Sequence, residues 1–81
     1  AQGPMILMIQ GVYCDLEEDI CRIVSEYTKF YKVKSRNITP ERTSIVMELR
    51  VKDGGSLVQK ISGIEGVAYV SIIDHDGEVT F

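Results

Sequence analysis

The spacing of apolar and polar residues divides the first part of the chain into a strand and a helix. Met5–Ile9 is apolar at every position, which is typical of a central strand buried on both faces. After Gln10-Gly11, apolar residues recur every three or four positions and predict an amphipathic helix. Asp15 is the expected N-cap, and Glu18 three residues later completes a capping box. The predicted buried stripe of this helix is Leu16, Ile20, Ile23, Val24 and Tyr27.

From Phe30 the period of the pattern changes to two, which indicates β-strands. The alternation places Tyr31, Val33 and Ser35 on one side and Lys32, Lys34 and Arg36 on the other. Turn residues follow at 37–42. A second alternating run then has the inward positions Ile45, Met47, Leu49 and Val51. The two runs predict a β-hairpin.

A second helix and a last strand are predicted beyond this hairpin. Asp53-Gly54-Gly55 ends the strand, and Ser56 with Gln59 forms another capping box. Gly63 is the expected left-handed residue at the helix end. Val67–Ile73, rich in β-branched residues, predicts the fourth strand.

The C-terminal residues carry a hairpin signal. Asp76-Gly77 is a turn dipeptide, so Glu78–Phe81 is expected to return as a short fifth strand at the sheet edge.

The order strand, helix, hairpin, helix, strand is the signature of the α+β ferredoxin-like βαββαβ sandwich. We expect a four-stranded antiparallel sheet in the order 4-1-3-2, with both helices on one face. Either Ile6 and Met8 or Leu7 and Ile9 must then point away from the helices, and an uncovered apolar patch usually marks an interface. We therefore expect a homodimer formed through the sheet face or a sheet edge. The predicted core consists of Leu16, Ile20, Ile23, Tyr27, Met47, Leu49, Leu57 and Ile61.

Composition fits one small domain. The chain has 81 residues, 44% of them hydrophobic and 26% charged, and its net charge of −3 argues against a nucleic-acid partner. No apolar run approaches the roughly 20 residues of a membrane-spanning helix, and no signal peptide is recognisable. Residues 1–4 resemble a cloning remnant, so we expect a single domain at 5–81.

The cysteines and the acidic C-terminal turn offer little metal chemistry. Cys14 and Cys21 lack Cys-x-x-Cys spacing and are expected to be reduced thiols, which favours a cytosolic protein. Hard-metal or histidine ligands gather at Asp74, His75, Asp76 and Glu78. A single histidine without a partner makes a solvated turn the preferred interpretation over a metal site, and no cofactor is expected.

The residues disfavour two other functions that this fold supports. Ile9–Tyr13 resembles the phosphate-binding loop of acylphosphatases, and Asn37 resembles their catalytic asparagine. That family requires an arginine where this chain has Asp15, which would repel the anion. RNA-binding sheets need exposed aromatic residues on their central strands, and Met5–Ile9 has none. We therefore expect a domain that is not an enzyme and does not bind RNA.

Three stretches, Glu26–Ser35, Ile45–Lys52 and Ile64–Ser71, carry a resemblance to known families. They resemble the cytosolic C-terminal domain of a family of uncharacterised bacterial membrane proteins often encoded beside VTC-type polyphosphate polymerases. More loosely, they are similar to the ACT-like C-terminal domain of the MgtC family. The resemblance implies a regulatory or assembly domain, tethered to the inner face of the cell membrane as the soluble tail of a parent membrane protein.

The ACT likeness also implies an alternative function, the sensing of a small molecule such as an amino acid. ACT domains bind such ligands at a glycine-containing loop between the first strand and the first helix. In this chain the matching residues are Gln10, Gly11 and Val12.

Overall fold

The computed structural model describes residues 3–12 and 15–74, with residue 74 described by its backbone alone. Predictions that concern Cys14, the side chains of residues 74–78 and a fifth strand at 78–81 lie outside these residues. No helix in the described ranges is long and apolar enough to cross a membrane. The elements are β1 Met5–Gly11, α1 Glu17–Tyr27, β2 Tyr31–Thr39, β3 Arg42–Leu49, α2 Gly54–Ser62 and β4 Val67–Asp74.

The strands form one antiparallel sheet in the order β2-β3-β1-β4. This is the predicted order, and with the two helices it confirms the ferredoxin-like fold. The central strand β1 pairs with β3 from Met5 opposite Leu49 to Gly11 opposite Thr43. Its seven residues separate the two ends of the sheet by about 20 Å.

The core lies between the helices and one sheet face. Leu7 and Ile9 point into it, which places Ile6 and Met8 on the other face. Six of the eight predicted core residues are buried, and Ile23 and Tyr27 are partly buried against them. The buried hydrophobic set is Leu7, Ile9, Leu16, Ile20, Val24, Ile45, Met47, Leu49, Val51, Leu57, Ile61 and Ile72.

Helix α1 begins later than the sequence predicts. Its N-cap is Leu16, which makes no side-chain capping hydrogen bond, so the predicted capping box of Asp15 and Glu18 is wrong. The reason is burial, because Leu16 is drawn into the core while Asp15 stays exposed. The acidic residues of the first turn still face the positive end of the helix dipole.

Helix α2 begins earlier than predicted. Asp53 is its N-cap and accepts hydrogen bonds from the Ser56 backbone N–H at 3.1 Å and the Ser56 hydroxyl at 2.7 Å. Ser56 is thus the donor to the cap, and the predicted box with Gln59 is wrong. Gly63 has φ −80°, in the right-handed region, whereas the left-handed glycine is Gly66 with φ 97°. The helix closes through hydrogen bonds of the Gly63 N–H, so a left-handed residue is not needed until Gly66.

A β-bulge corrects the predicted faces of β2. The register shifts between Val33 and Ser35, so Arg36 lies on the helix side and not beside Lys32 and Lys34. There the Arg36 guanidinium forms a two-pronged ion pair with Glu17, at 2.9 Å (Nε–Oε1) and 2.7 Å (Nη2–Oε2). The prediction that Arg36 shares a side with Lys32 and Lys34 is therefore wrong. At the hairpin both strands run further than expected and leave only residues 40 and 41 as the turn. At its other end β3 stops at Leu49, so the predicted extension of the strand to Val51 is wrong.

Replacing Ile20 with alanine tests the core. Ile20 is fully buried, so Ile20→Ala should lower the free energy of unfolding by roughly 2–5 kcal/mol in urea titrations. Ile38→Ala, at an exposed position of the edge strand, is the matched control and should change it by less than about 0.5 kcal/mol. Equal effects of the two variants would contradict the described helix phase.

Replacing Asp53 tests the cap of α2. The hydrogen bonds from Ser56 lower the pKa of Asp53, so its contribution to stability is present above the ordinary pKa of about 3.9 and fades as pH falls through the lowered value. Asp53→Ala should reduce the urea midpoint at neutral pH, and the difference should shrink in acid. Asp53→Asn keeps the acceptor without the titration. A deficit of Asp53→Ala that persists unchanged through the acid range would contradict this role.

Candidate functional site

The predicted loop site places its three residues in different surroundings. Gln10 is exposed on the sheet face opposite the helices, between Ser44 of β3 and Tyr69 of β4. Gly11 is buried at the end of β1. Val12 is 54% exposed. Among the described residues, the three are therefore close in the chain but differ in burial.

Gly11 is required by a close approach of two other segments. A Cβ at this position would lie 2.1 Å from Leu16 Cδ1 and 2.9 Å from the Gly66 carbonyl oxygen, both too close for any real side chain. The N–H of Val12 donates to the same Gly66 carbonyl at 2.8 Å. The loop after β1 is thus fastened to the segment before β4, and this N–H is already used within the protein.

The sheet register assembles a polar row that the sequence did not predict. Ser44 pairs with Gln10 on one side and with Asn37 on the other, and Tyr69 follows beyond Gln10. Asn37 was predicted in a turn, so only the observed length of β2 reveals the row. The row brings Gln10 and Asn37, the two polar residues of the acylphosphatase resemblance, onto one face of the sheet. Asp15, exposed in the position where that family has its arginine, still argues against anion hydrolysis.

Apolar side chains occupy the centre of the same sheet face. Ile6 lies between Glu48 and Ile73, and Met8 between Val46 and Ser71. These apolar side chains are only half-buried, and none packs against the core. We call Ile6, Met8, Val46 and Ile73 the open-face patch. The sequence predicted a patch but left two alternatives for β1, and the structure selects Ile6 and Met8.

Two clefts lie at the opposite end of the sheet from Gly11. The larger has a volume of about 610 Å³ and lies between the end of α1 and the segment joining β3 to α2. The smaller, of about 440 Å³, adjoins it across Phe30. Neither cleft is predictable from the sequence, because their residues come from separate segments. The larger cleft is lined by residues 25–30 and 50–53.

Cys21 is a packing residue and not a reactive thiol. It is partly buried against the core. Burial raises the pKa of its thiol, and the neighbouring carboxylate of Glu17 raises it further, although Arg36 acts in the opposite direction. The thiol therefore stays protonated at neutral pH, which disfavours nucleophilic or metal-binding roles.

The described residues contain no group of three or more histidine, cysteine, aspartate or glutamate side chains placed to hold a metal. The side chains of the C-terminal turn lie outside those residues: Asp74, His75, Asp76 and Glu78. A solvated turn at these positions, in preference to a metal site, stays a prediction.

Comparison with known proteins extends the fold assignment. No protein-family model matches the sequence, and no curated protein matches it. The structure is similar to the crystal structure of the ACT domain of a GTP pyrophosphokinase from Chlorobium tepidum, with a TM-score of 0.72 and 15% identity. The similarity covers 90% of this chain and all of that domain. At this identity it shows the fold, which is ACT-like as well as ferredoxin-like.

Two glycine substitutions test the loop geometry. Gly11→Ala forces a Cβ into Leu16 and the Gly66 carbonyl, so it should lower the free energy of unfolding by about 1–3 kcal/mol. Gly63→Ala is the matched control, because its Cβ meets only backbone oxygens at 3.4 Å or more and its φ is negative. That variant should be neutral or stabilising by up to about 1 kcal/mol. Chemical denaturation of both measures this, and a larger loss at Gly63 would contradict the geometry.

Proposed function

We propose that this chain is a non-catalytic regulatory or assembly domain that self-associates through its open sheet face. The observation that carries the proposal is the open-face patch, because an apolar surface at the centre of a sheet gains from being covered. A small domain buries only about 60% of the surface of its unfolded chain, so association also adds stability.

The surroundings of the patch fit an interface between two copies of the chain. Lys34 and Glu48 lie beside it with their charged atoms 3.8 Å apart, and Gln10 with Ser44 borders it on the side nearer Gly11. An apolar centre with a polar rim is the usual anatomy of protein interfaces. Two copies related by a two-fold axis would present the same patch to each other and satisfy it reciprocally.

A face-to-face contact is favoured over one along β2. The bulge at Lys34 makes this edge strand irregular, and its lysine side chains discourage a further strand from pairing there. Side-by-side pairing along β4 remains the other geometry. It would leave Met8 outside the contact, so a substitution at Met8 separates the two.

The proposal includes a parent membrane protein, of which this domain would be a cytosolic tail. The support is the sequence likeness of residues 26–35, 45–52 and 64–71 to such tails. Membrane-spanning segments encoded in the same reading frame would support this part, and a fused soluble metabolic enzyme would contradict it. Self-association would then bring copies of the parent together at the inner face of the membrane.

Small-molecule sensing of the ACT type is a second candidate function. It is favoured by the placement of Gly11 at the loop between β1 and α1 and by the ACT-like fold. A thermal-shift screen with the amino acids tests it, since a ligand at 100 times its Kd adds about 2.7 kcal/mol of stability. A shift abolished by Gln10→Ala would support sensing at Gln10, Gly11 and Val12.

Met8→Arg tests self-association through the open face. We expect the unsubstituted domain to sediment as a dimer at micromolar concentrations. Met8→Arg should sediment as a folded monomer, because the new charge would be buried in the interface. Leu7→Arg, on the opposite face of the same strand, should instead unfold the domain, since Leu7 is fully buried.

Gln59→Arg is the control for charge alone. Gln59 is exposed on α2, so this variant should remain dimeric. If the unsubstituted domain stays monomeric up to high micromolar concentration, the proposal is contradicted. A Met8→Arg variant that remains dimeric would show that a sheet edge, not the open face, forms the contact.

A further inference from the structure

We infer that the larger cleft, here called the Phe30 cleft, binds a small organic anion that carries an aromatic ring. The cleft is formed by residues 25–30 and 50–53 and lies about 20 Å from Gln10, Gly11 and Val12, at the far end of β1. It is therefore separate from the loop to which ligand binding was assigned above. It is also separate from the open-face patch, because its walls come from the helix side and the end of the sheet.

The apolar part of the cleft is supplied by aromatic and aliphatic side chains. Phe30 is 75% exposed, the highest value among the large hydrophobic residues that the structure describes. Tyr27 is partly buried at the end of α1, and Val51 is buried behind the cleft. Phe30 is the last residue of the connection between α1 and β2. An exposed phenyl ring beside a cavity offers a flat surface on which another ring can stack.

The charged part of the cleft is positive. Lys29, Arg50 and Lys52 line it, all three are exposed, and none makes an ion pair within 4 Å in the described part of the chain. Lys32, similarly exposed and unpaired there, lines the adjoining cleft. In a chain of net charge −3, a group of unpaired cations around one cavity provides a local attraction for anions.

The two carboxylates at the rim are already engaged. Asp53 accepts both hydrogen bonds from Ser56, and this holds it at the N-terminus of α2. Glu26 lies 3.6 Å (Oε1–Nζ) from Lys60 of α2. Lys60 is thus a counter-charge for Glu26, whereas Asp53 is hydrogen-bonded to a neutral residue and keeps its negative charge. The three cations Lys29, Arg50 and Lys52 therefore outnumber the one uncompensated carboxylate of the cleft.

Backbone hydrogen bonds fix the arrangement in advance. The Arg50 N–H donates to the Phe30 carbonyl at 3.1 Å, and the Phe30 N–H donates to the Thr28 hydroxyl oxygen at 3.0 Å. These contacts join the segment after α1 to the segment after β3, so the ring and the cations are presented by an ordered backbone. A pre-ordered site loses less entropy on binding. The volume of about 610 Å³ also falls within the usual range for small-molecule sites.

Ligand titrations followed by NMR on the isotope-labelled chain test this inference. The probes are adenosine 5′-monophosphate and 2-naphthoate, which join a ring to a phosphate or a carboxylate. Adenosine supplies the ring alone and inorganic phosphate the charge alone. We expect at least one of the two aromatic anions to give saturable shifts at Tyr27, Phe30 and Val51, with a Kd at least tenfold lower than that of adenosine or phosphate. Comparison of the two anions identifies the preferred charged group.

Three variants locate the site. Phe30→Ala should raise the Kd about tenfold through loss of stacking, and Arg50→Gln about three- to fivefold through loss of one exposed charge contact. Both side chains are exposed, so the variants should fold. Arg42→Gln is the matched control: it removes the same charge from the other end of β3, at an exposed position, and should leave the Kd within about twofold.

Several outcomes would overturn the inference. They are the absence of saturable shifts with either aromatic anion, equal binding of phosphate alone, an equal loss in Arg42→Gln, and shifts centred on residues 10–12. Binding to phosphatidylglycerol vesicles and to none of the soluble anions would overturn it in favour of a lipid surface. Sedimentation of Phe30→Ala separates this test from that of the proposed function, because the open-face patch is untouched by the substitution.

Discussion

Two short helices can cover only one face of a four-stranded sheet, and the rest of this structure follows from that limit. The covered face receives Leu7, Met47 and Ile72 from three neighbouring strands, all buried. Because side chains alternate along a strand, β1 must then present Ile6 and Met8 to the other side. In a strand that is apolar on both faces, one set of alternating side chains therefore packs in the core, and the other set lies on a surface that the helices do not cover. The open-face patch is the consequence of a central strand in a two-layer fold.

The bulge in β2 resolves a related problem at the sheet edge. Without the register shift, Arg36 would join Lys32 and Lys34 on the open face. The shift instead turns its guanidinium toward α1, where the two-pronged pair with Glu17 fastens the edge strand to the helix layer. The hydrogen bond with Glu17 also raises the pKa of Arg36. One inserted residue therefore both interrupts the exposed ladder and anchors the strand.

Sequence periodicity predicted every element of the described fold, since apolar spacing depends on the same burial that the structure shows. It failed where a single residue has two roles. Leu16 both enters the core and begins α1, which displaced the predicted cap at Asp15. The alternation of side chains along β2 gives no indication of the bulge at Lys34. The Phe30 cleft could not be predicted because it joins residues from two turns that are twenty positions apart in the chain, and only the pairing of β2 with β3 brings them together.

The distribution of charge explains how an acidic chain can still attract an anion. Arg22, Lys34, Arg36 and Lys60 each have an acidic partner within the described residues. The fields of the other cations extend further into solvent. Arg42 lies at the hairpin end of β3, and the other four line the two adjoining clefts: Lys29, Lys32, Arg50 and Lys52. Net charge describes the molecule at a distance, whereas a ligand at the surface responds to charges within about a Debye length, near 8 Å at physiological salt. At that range the cations around Phe30, not the overall charge of −3, determine what binds.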